Sequence, residues 1–176
     1  MDEAALRHQL AEQHRASFGW ALHCCARDHT QAEDVLQTVY LKILQGKARF
    51  DGRSSFKTWL FAVIRLTAAQ ERRRDWLRRL RLLRYEPESA ATESVEDVRP
   101  LQEALATLPR RQREVLHLVF YQEMTIEEAG AVMGVSLGSA RTHYERGKHR
   151  LRELLSKTDV LHETGIGRST TPATLR

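Results

Sequence analysis

The apolar positions of this chain recur at steps of three and four residues, the period of a helix that lays one face on a core. From Glu3 to about Arg27 they fall at Leu6, Leu10, Phe18, Ala21, Leu22 and Cys25. A polar break at 28–30 precedes a helix from Gln31 to about Gln45, with an inward stripe of Ala32, Val35, Leu36, Val39, Tyr40, Ile43 and Leu44 and a stop at Gly46. Residues 47–55, KARFDGRSS, have Gly52 for a turn and basic residues on both sides, and read as an exposed loop. A long helix then runs from Phe56 to about Leu83, apolar at Phe56, Trp59, Leu60, Val63 and Ile64 in its first half. Its place on that stripe makes Trp59 a core side chain rather than a stacking platform. The period lapses over 85–100 and returns at Leu101, Ala104, Leu105 and Leu108. Pro109 opens a further helix that runs to about Tyr121, with Val115, Leu116, Val119 and Phe120 inward. The pattern predicts an all-α fold.

The most informative stretch is 125–148, TIEEAGAVMGVSLGSARTHYERGK. Thr125 is placed to cap a short helix, with Glu128 three residues on as reciprocal partner, and Gly134 ends it. Ser136 caps a second helix that opens with Gly138, Ser139, Arg141, Thr142, His143 and Arg146. Two short helices around a glycine turn have the spacing of a helix-turn-helix, and these side chains suit base edges and phosphates in a major groove. Cations outnumber the one carboxylate, Glu145, from Leu137 to Arg152, while Tyr144, Leu151 and Leu155 are left to face inward. One face serves a core and the other phosphate. After Leu155 the period fades, and Gly165, Gly167 and Pro172 predict a frayed tail.

Charge sharpens this reading because it is segregated. The net charge of +5 is modest. From Lys47 to Arg84, however, Asp51, Glu71 and Asp75 are the only acids among twelve cations, including Arg65, Arg72 and Arg73. Between Tyr85 and Pro100 the sign reverses, with Glu86, Glu88, Glu93, Glu96 and Asp97 against Arg99. Two basic modules therefore flank an acidic, flexible link that has too little apolar content for a core of its own.

Several classes of function are disfavoured. No apolar run is long enough to cross a bilayer, so membrane insertion is not expected. The opening MDEAALRHQL is acidic and polar where a secretory signal would be basic and then apolar, which predicts a cytoplasmic protein. Adjacent Cys24 and Cys25 cannot easily bridge each other and are expected as free buried thiols. They do not complete a metal set with His23 and His29, so neither metal nor cofactor is expected. There is no phosphate-cradling glycine loop, nucleophile elbow or partnered carboxylate pair, and an enzyme is not expected.

These segments together resemble the sigma-70 family of bacterial RNA polymerase initiation factors, in its small extracytoplasmic-function group. AEDVLQTVYLKIL followed by RFDGRSSFKTWLFAVIR resembles region 2, and the stretch from LPRRQREVL to KHRLREL resembles region 4. The resemblance implies two small helical domains joined by a flexible linker. It divides the chain into region 2 over 1–84, the acidic linker over 85–100, region 4 over 101–156 and a disordered tail over 157–176. It implies that Glu33, Asp34, Gln37 and Tyr40 dock on the clamp of core RNA polymerase, and that region 4 meets its flap. For the −10 promoter strand it implies Arg49, Phe50, Asp51, Arg53, Ser54, Ser55, Lys57, Arg65, Arg72 and Arg73. For the −35 element it implies Ser136, Gly138, Ser139, Arg141, Thr142, His143 and Arg146. An anti-sigma factor is the further partner it implies. Two departures stand out: Leu66 occupies a position where the family often has Asn, and only Phe50 and Phe56 are aromatic near the loop, so weak melting of DNA is expected. The alternative is a one-component helix-turn-helix regulator whose N-terminal helices form a ligand or dimer domain; the arginine-rich 56–84 segment speaks against it.

Overall fold

The computed structural model describes residues 3–82, 105 and 107–165. Seven helices occur among them: α1 Glu3–Glu12, α2 His14–Cys24, α3 His29–Leu44, α4 Phe56–Leu82, α5 Arg110–Phe120, α6 Ile126–Met133 and α7 Leu137–Gly165. The expected acidic linker, 85–100, and the last residues of the expected tail lie outside the described residues.

Helices α2, α3 and α4 pack on one another, with α1 against α2. Their core is built from Trp20, Ala21, Val35, Leu36, Val39, Ile43, Leu60, Phe61 and Ile64. Trp20 is fully buried, and its indole N–H donates to the Phe61 carbonyl at 3.0 Å, so the one polar atom of the largest core side chain is satisfied. The N-terminal helix expected over 3–27 is interrupted at Gln13, where the chain shows no apolar side chain to the core. It also ends early. Ala26 and Arg27 adopt left-handed φ values of 52° and 69°, a turn for which the sequence offers no glycine. Asp28 then caps α3 through its carboxylate, which accepts from the Gln31 amide at 2.9 Å.

Helices α5, α6 and α7 form a second packed group. The Thr125–Glu128 capping box is present in both directions, and Gly134 closes α6 at φ 65°. Gly130 is where the two helices of the helix-turn-helix touch: a Cβ there would stand 3.2 Å from the Ala140 Cβ and 3.3 Å from the Val135 carbonyl. Glycine permits that approach without the neighbours giving way. Two inward assignments are corrected. Phe120 and Leu44 are exposed, and Leu118 takes the buried place that the α5 pattern gave to Phe120. The expected unravelling after Leu155 is also corrected, since α7 continues to Gly165; no glycine or proline interrupts the chain between Gly147 and that point.

The two groups are in contact. Helix α4 packs along α6, and Met124, Ala129 and Met133 join the same apolar cluster as Leu60 and Ile64.

Candidate nucleic-acid interface

The residues expected at the −35 element gather at the start of α7. Ser136 Oγ accepts from the Ser139 amide at 3.2 Å and so starts α7. Ser136, Gly138, Ser139, Arg141, Thr142 and Arg146 are exposed and His143 is half-buried, while Ala140 is fully buried against Gly130. The Thr142 hydroxyl donates back to the Gly138 carbonyl at 2.9 Å. Gly147 lets α7 lie close on α5, where a Cβ would meet Leu116 Cδ1 at 3.1 Å. Tyr144 is not wholly internal: its ring stacks on Phe120 at 6.0 Å and carries the Lys148 ammonium at 4.9 Å.

The expected polymerase surface is similarly open. Glu33, Asp34 and Gln37 share one exposed face of α3. Tyr40 stands at its edge, half-buried, with its hydroxyl 3.1 Å from His14 Nδ1. Leu41 and Leu44 lie one and two turns beyond Gln37 and are 55% and 43% exposed, an apolar extension of this face of which the pattern turned Leu44 inward. The signal for Leu44 was available, since an α3 with Val35, Leu36, Val39 and Ile43 inward already fills that side.

The loop before α4 is pre-shaped. Gly46 and Gly52 have φ values of 69° and 74°, Arg49 donates to the Gly46 carbonyl at 3.2 Å, and Arg53 pairs with Asp51 at 3.2 Å. Ser54 is exposed, whereas Ser55 caps α4 by accepting from the Thr58 amide at 3.1 Å. Phe50 packs against Phe56 and Trp59 at ring distances of 5.5 Å each. Trp59 is half-buried in this aromatic cluster instead of lying deep in the core.

Along α4 the expected DNA-facing cations divide. Arg73 is exposed. Arg72 is half-buried and donates to the Cys24 carbonyl. Lys57 donates to the Gln122 carbonyl at 2.5 Å, across to the loop between α5 and α6. Arg65 is 13% exposed and bonds Glu114 of α5 at 3.2 Å, while the other oxygen of that carboxylate takes Arg110 at 2.8 Å. Glu114 is 3% exposed, and a carboxylate so buried is tolerable only because two guanidiniums neutralise it. As α4 stands, neither Lys57 nor Arg65 faces outward toward DNA.

Beside this ion cluster His23 and His117 lie ring to ring at 4.2 Å, with Trp20 against both. Burial, with Arg113, Arg110 and Arg27 nearby, lowers His23 to about 4. Burial, with His23 and Arg27, lowers His117 to about 3. Both rings are therefore neutral at pH 7. Cys24 and Cys25 are free and buried, and burial raises both thiols. Such thiols are poor nucleophiles at neutral pH. Among the described residues no group of three or more His, Cys, Asp and Glu is arranged to hold a metal ion.

The fold and these surfaces define an all-helical DNA reader with a helix-turn-helix and a second basic module. The family description "Sigma-70 region 2" matches residues 10–78 and "Sigma-70, region 4" matches residues 104–153. A similar protein is the ECF RNA polymerase sigma factor SigX of Bacillus subtilis, 31% identical over 145 residues, with 72% of each chain covered. Another is the RNA polymerase sigma factor CarQ of Myxococcus xanthus, 31% identical over 144 residues, covering 76% of this chain and 80% of that one. Among solved structures, the sigma factor RpoE of Bartonella quintana, in complex with the anti-sigma factor NepR, superposes with a TM-score of 0.69 at 25% identity, covering 86% of this chain and 97% of that one. CnrH, in complex with the cytosolic domain of CnrY, shares the fold with a TM-score of 0.62 at 22% identity, over 89% of this chain and 90% of that one. The chain belongs to the sigma-70 family of RNA polymerase sigma factors, in its extracytoplasmic-function group.

Proposed function

We propose that this chain is the non-catalytic specificity subunit of a bacterial RNA polymerase. It docks on the clamp of the core enzyme through Glu33, Asp34 and Gln37, with Tyr40 at the edge of the same face, and on the flap through region 4. The loop from Arg49 to Ser55 and the exposed arginines of α4 meet the −10 strand, where the cost of unstacking a base is offset by pocket contacts. The opening of α7 lies in the major groove of the −35 element. Two modest affinities, held at a fixed spacing by the core enzyme, combine into one strong one. Region 2 occupies 1–84 and region 4 occupies 101–156, joined by the acidic linker. Its partners include an anti-sigma factor, as the RpoE and CnrH complexes suggest by analogy. No described helix is long and apolar enough to cross a membrane, which is in keeping with action in the cytoplasm.

The observation that carries this reading is the pairing, in order along one chain, of a region 2 match with a region 4 match whose recognition helix is exposed. The ligand-domain regulator is set aside on the same ground, because its N-terminal helices would not be region 2. The test is capture of core RNA polymerase by the full chain and by an Asp34→Ala, Gln37→Ala double variant. Retention by the wild type and loss of at least about tenfold in affinity by the variant are expected, the usual size for removing a pair of interface hot spots. Failure of the wild type to bind, with no anti-sigma factor in the preparation, would sink the reading.

A further inference from the structure

The second half of α4 carries an exposed apolar face that lies outside the interfaces described above. Leu66, Trp76, Leu77 and Leu80 are all exposed, Trp76 by 59%. With about 3.6 residues per turn they share one side of the helix, opposite the buried Leu60, Phe61, Ile64 and Ala68. The other two tryptophans are engaged: Trp20 is stacked on Phe61 and His23, and Trp59 packs on Phe50 and Phe56. Trp76 meets no other ring among the described residues. An exposed apolar face of this kind marks a contact with another molecule.

The charges around the indole decide what that molecule is. Residues three and four apart on a helix are neighbours, so Arg72, Arg73, Arg79 and Leu80 border Trp76. The two acids of this segment are already paired along the helix, Glu71 with Arg74 at 2.8 Å and Asp75 with Arg78 at 3.3 Å. Arg73 and Arg79 are exposed and form no ion pair among the described residues. A second copy of the chain laid on this face would set arginine against arginine, and that repulsion disfavours it. A nucleic-acid strand satisfies both features, with phosphates for the guanidiniums and a base for the ring. In a duplex the faces of the bases are covered by their neighbours, so only an unpaired strand can use the indole. We propose that Trp76 is a stacking platform for a base of unpaired DNA, with Arg73 and Arg79 on the flanking phosphates. That strand is the one the sigma-factor reading brings to α4, so the platform rests on that reading and deepens it. It adds to the −10 contacts a hold that tolerates any sequence, since every base has a π-face. Leu66 and Leu80 are fourteen residues apart. At about 1.5 Å per residue that is about 21 Å of helix, the length of about six stacked nucleotides at about 3.4 Å each.

The experiment uses the full chain and two labelled DNA strands, with affinity read by fluorescence anisotropy. One is a single strand of mixed sequence about twelve nucleotides long, and the other has the same length of backbone without bases. The variants are Trp76→Ala, Trp76→Leu and Trp76→Phe. The position is an exposed one on a helix, where Ala and Leu raise helix propensity, so the fold is kept. On the ordinary strand Trp76→Ala and Trp76→Leu are expected to bind about five- to a hundredfold more weakly, the range for one lost base–aromatic stack. Trp76→Phe should keep most of the affinity. The salt slope should not change, because no phosphate contact is lost. On the strand without bases all four proteins should bind alike. Trp76→Leu binding the ordinary strand as tightly as the wild type would overturn the platform, as would equal affinity of the wild type for both strands, or binding of neither. Self-association of the wild type that Trp76→Ala abolishes, with strand affinity unmoved, would overturn it in favour of a second copy on this face. Capture of core RNA polymerase by the wild type is measured in parallel. Capture, with strand affinity unmoved in every variant, would sink the platform and leave the sigma-factor reading standing. Weaker strand binding by Trp76→Ala and Trp76→Leu, without capture by the wild type, would uphold the platform and sink that reading.

Discussion

Helices α4 and α7 are both long, basic and assigned to DNA, yet they keep their cations differently. In α7 every proposed base- or phosphate-contacting side chain from Ser136 to Arg146 is exposed, except half-buried His143. In α4, Lys57 and Arg65 are bonded to region 4 and Arg72 to the end of α2, leaving Arg73 outward. A cation run in sequence therefore reports capacity for phosphate, and tertiary partners decide how much of it is available. Arginine suits this double use because its fork can satisfy a carboxylate or a carbonyl as well as a phosphate.

The largest effect that tests this contrast lies beneath α4. Trp20 is fully buried, bonded to the Phe61 carbonyl and stacked on Phe61 at 6.0 Å. Trp20→Ala is expected to destabilise the chain by about 3–5 kcal/mol, measured by urea unfolding, since it leaves a cavity and an unpaired carbonyl. Protection from hydrogen exchange should fall in α2 and α4 while the helix-turn-helix keeps most of its own. Equal loss in α7 would mean that the two groups unfold as one unit.

How far each region was legible follows the same division. The helix-turn-helix could be read in detail because its determinants are local: the Thr125–Glu128 box, the left-handed Gly134 and the Ser136 cap are all set within four residues. The end of α2 could not, because Ala26 and Arg27 take left-handed geometry without the glycine that would announce it. The family resemblance sets Arg65 at the −10 strand, and nothing near it in sequence foretells its bond to Glu114, 49 residues away. Leu44 and Phe120 were turned inward by period alone, whereas burial depends on which neighbours a helix has. The joint that buries Arg65 is long-range throughout, and pattern reasoning has no access to it.

A pH series tests that joint next. His23 faces His117, Trp20 and the cations Arg27, Arg110 and Arg113, and His117 faces His23, Trp20, Tyr121 and Arg27. With both rings lowered where the two helix groups are in contact, parting the groups binds protons. The contact is fully favoured above the ordinary histidine value of about 6.5 and weakens as pH falls from there toward 4. The ratio of docked to parted groups should drop by at most about tenfold per pH unit for each ring that parting exposes. Spin labels at the exposed sites Ala11→Cys and His149→Cys read this as a distance at pH 7.5 and pH 5, and His117→Phe should remove about half of the dependence, leaving the share of His23. A distance that shortens on acidification would break the assignment of these rings to the joint.

The smallest effect separates two neighbours on one helix. Arg72 is tied to the Cys24 carbonyl and Arg73 is exposed, so alanine at each should fail in a different measurement. Arg72→Ala is expected to cost about 1.5–3 kcal/mol of stability, the range for a charge-assisted bond, with little change in the salt dependence of binding to single-stranded DNA of random sequence. Arg73→Ala should leave stability within about 0.5 kcal/mol and make the salt slope shallower by about 0.7, the share of one phosphate contact on a single strand. Should Arg72→Ala flatten the slope as much as Arg73→Ala while stability holds, Arg72 would belong with the α7 cations. The contrast between the two helices would then rest on Lys57 and Arg65 alone, the pair bonded to Gln122 and Glu114.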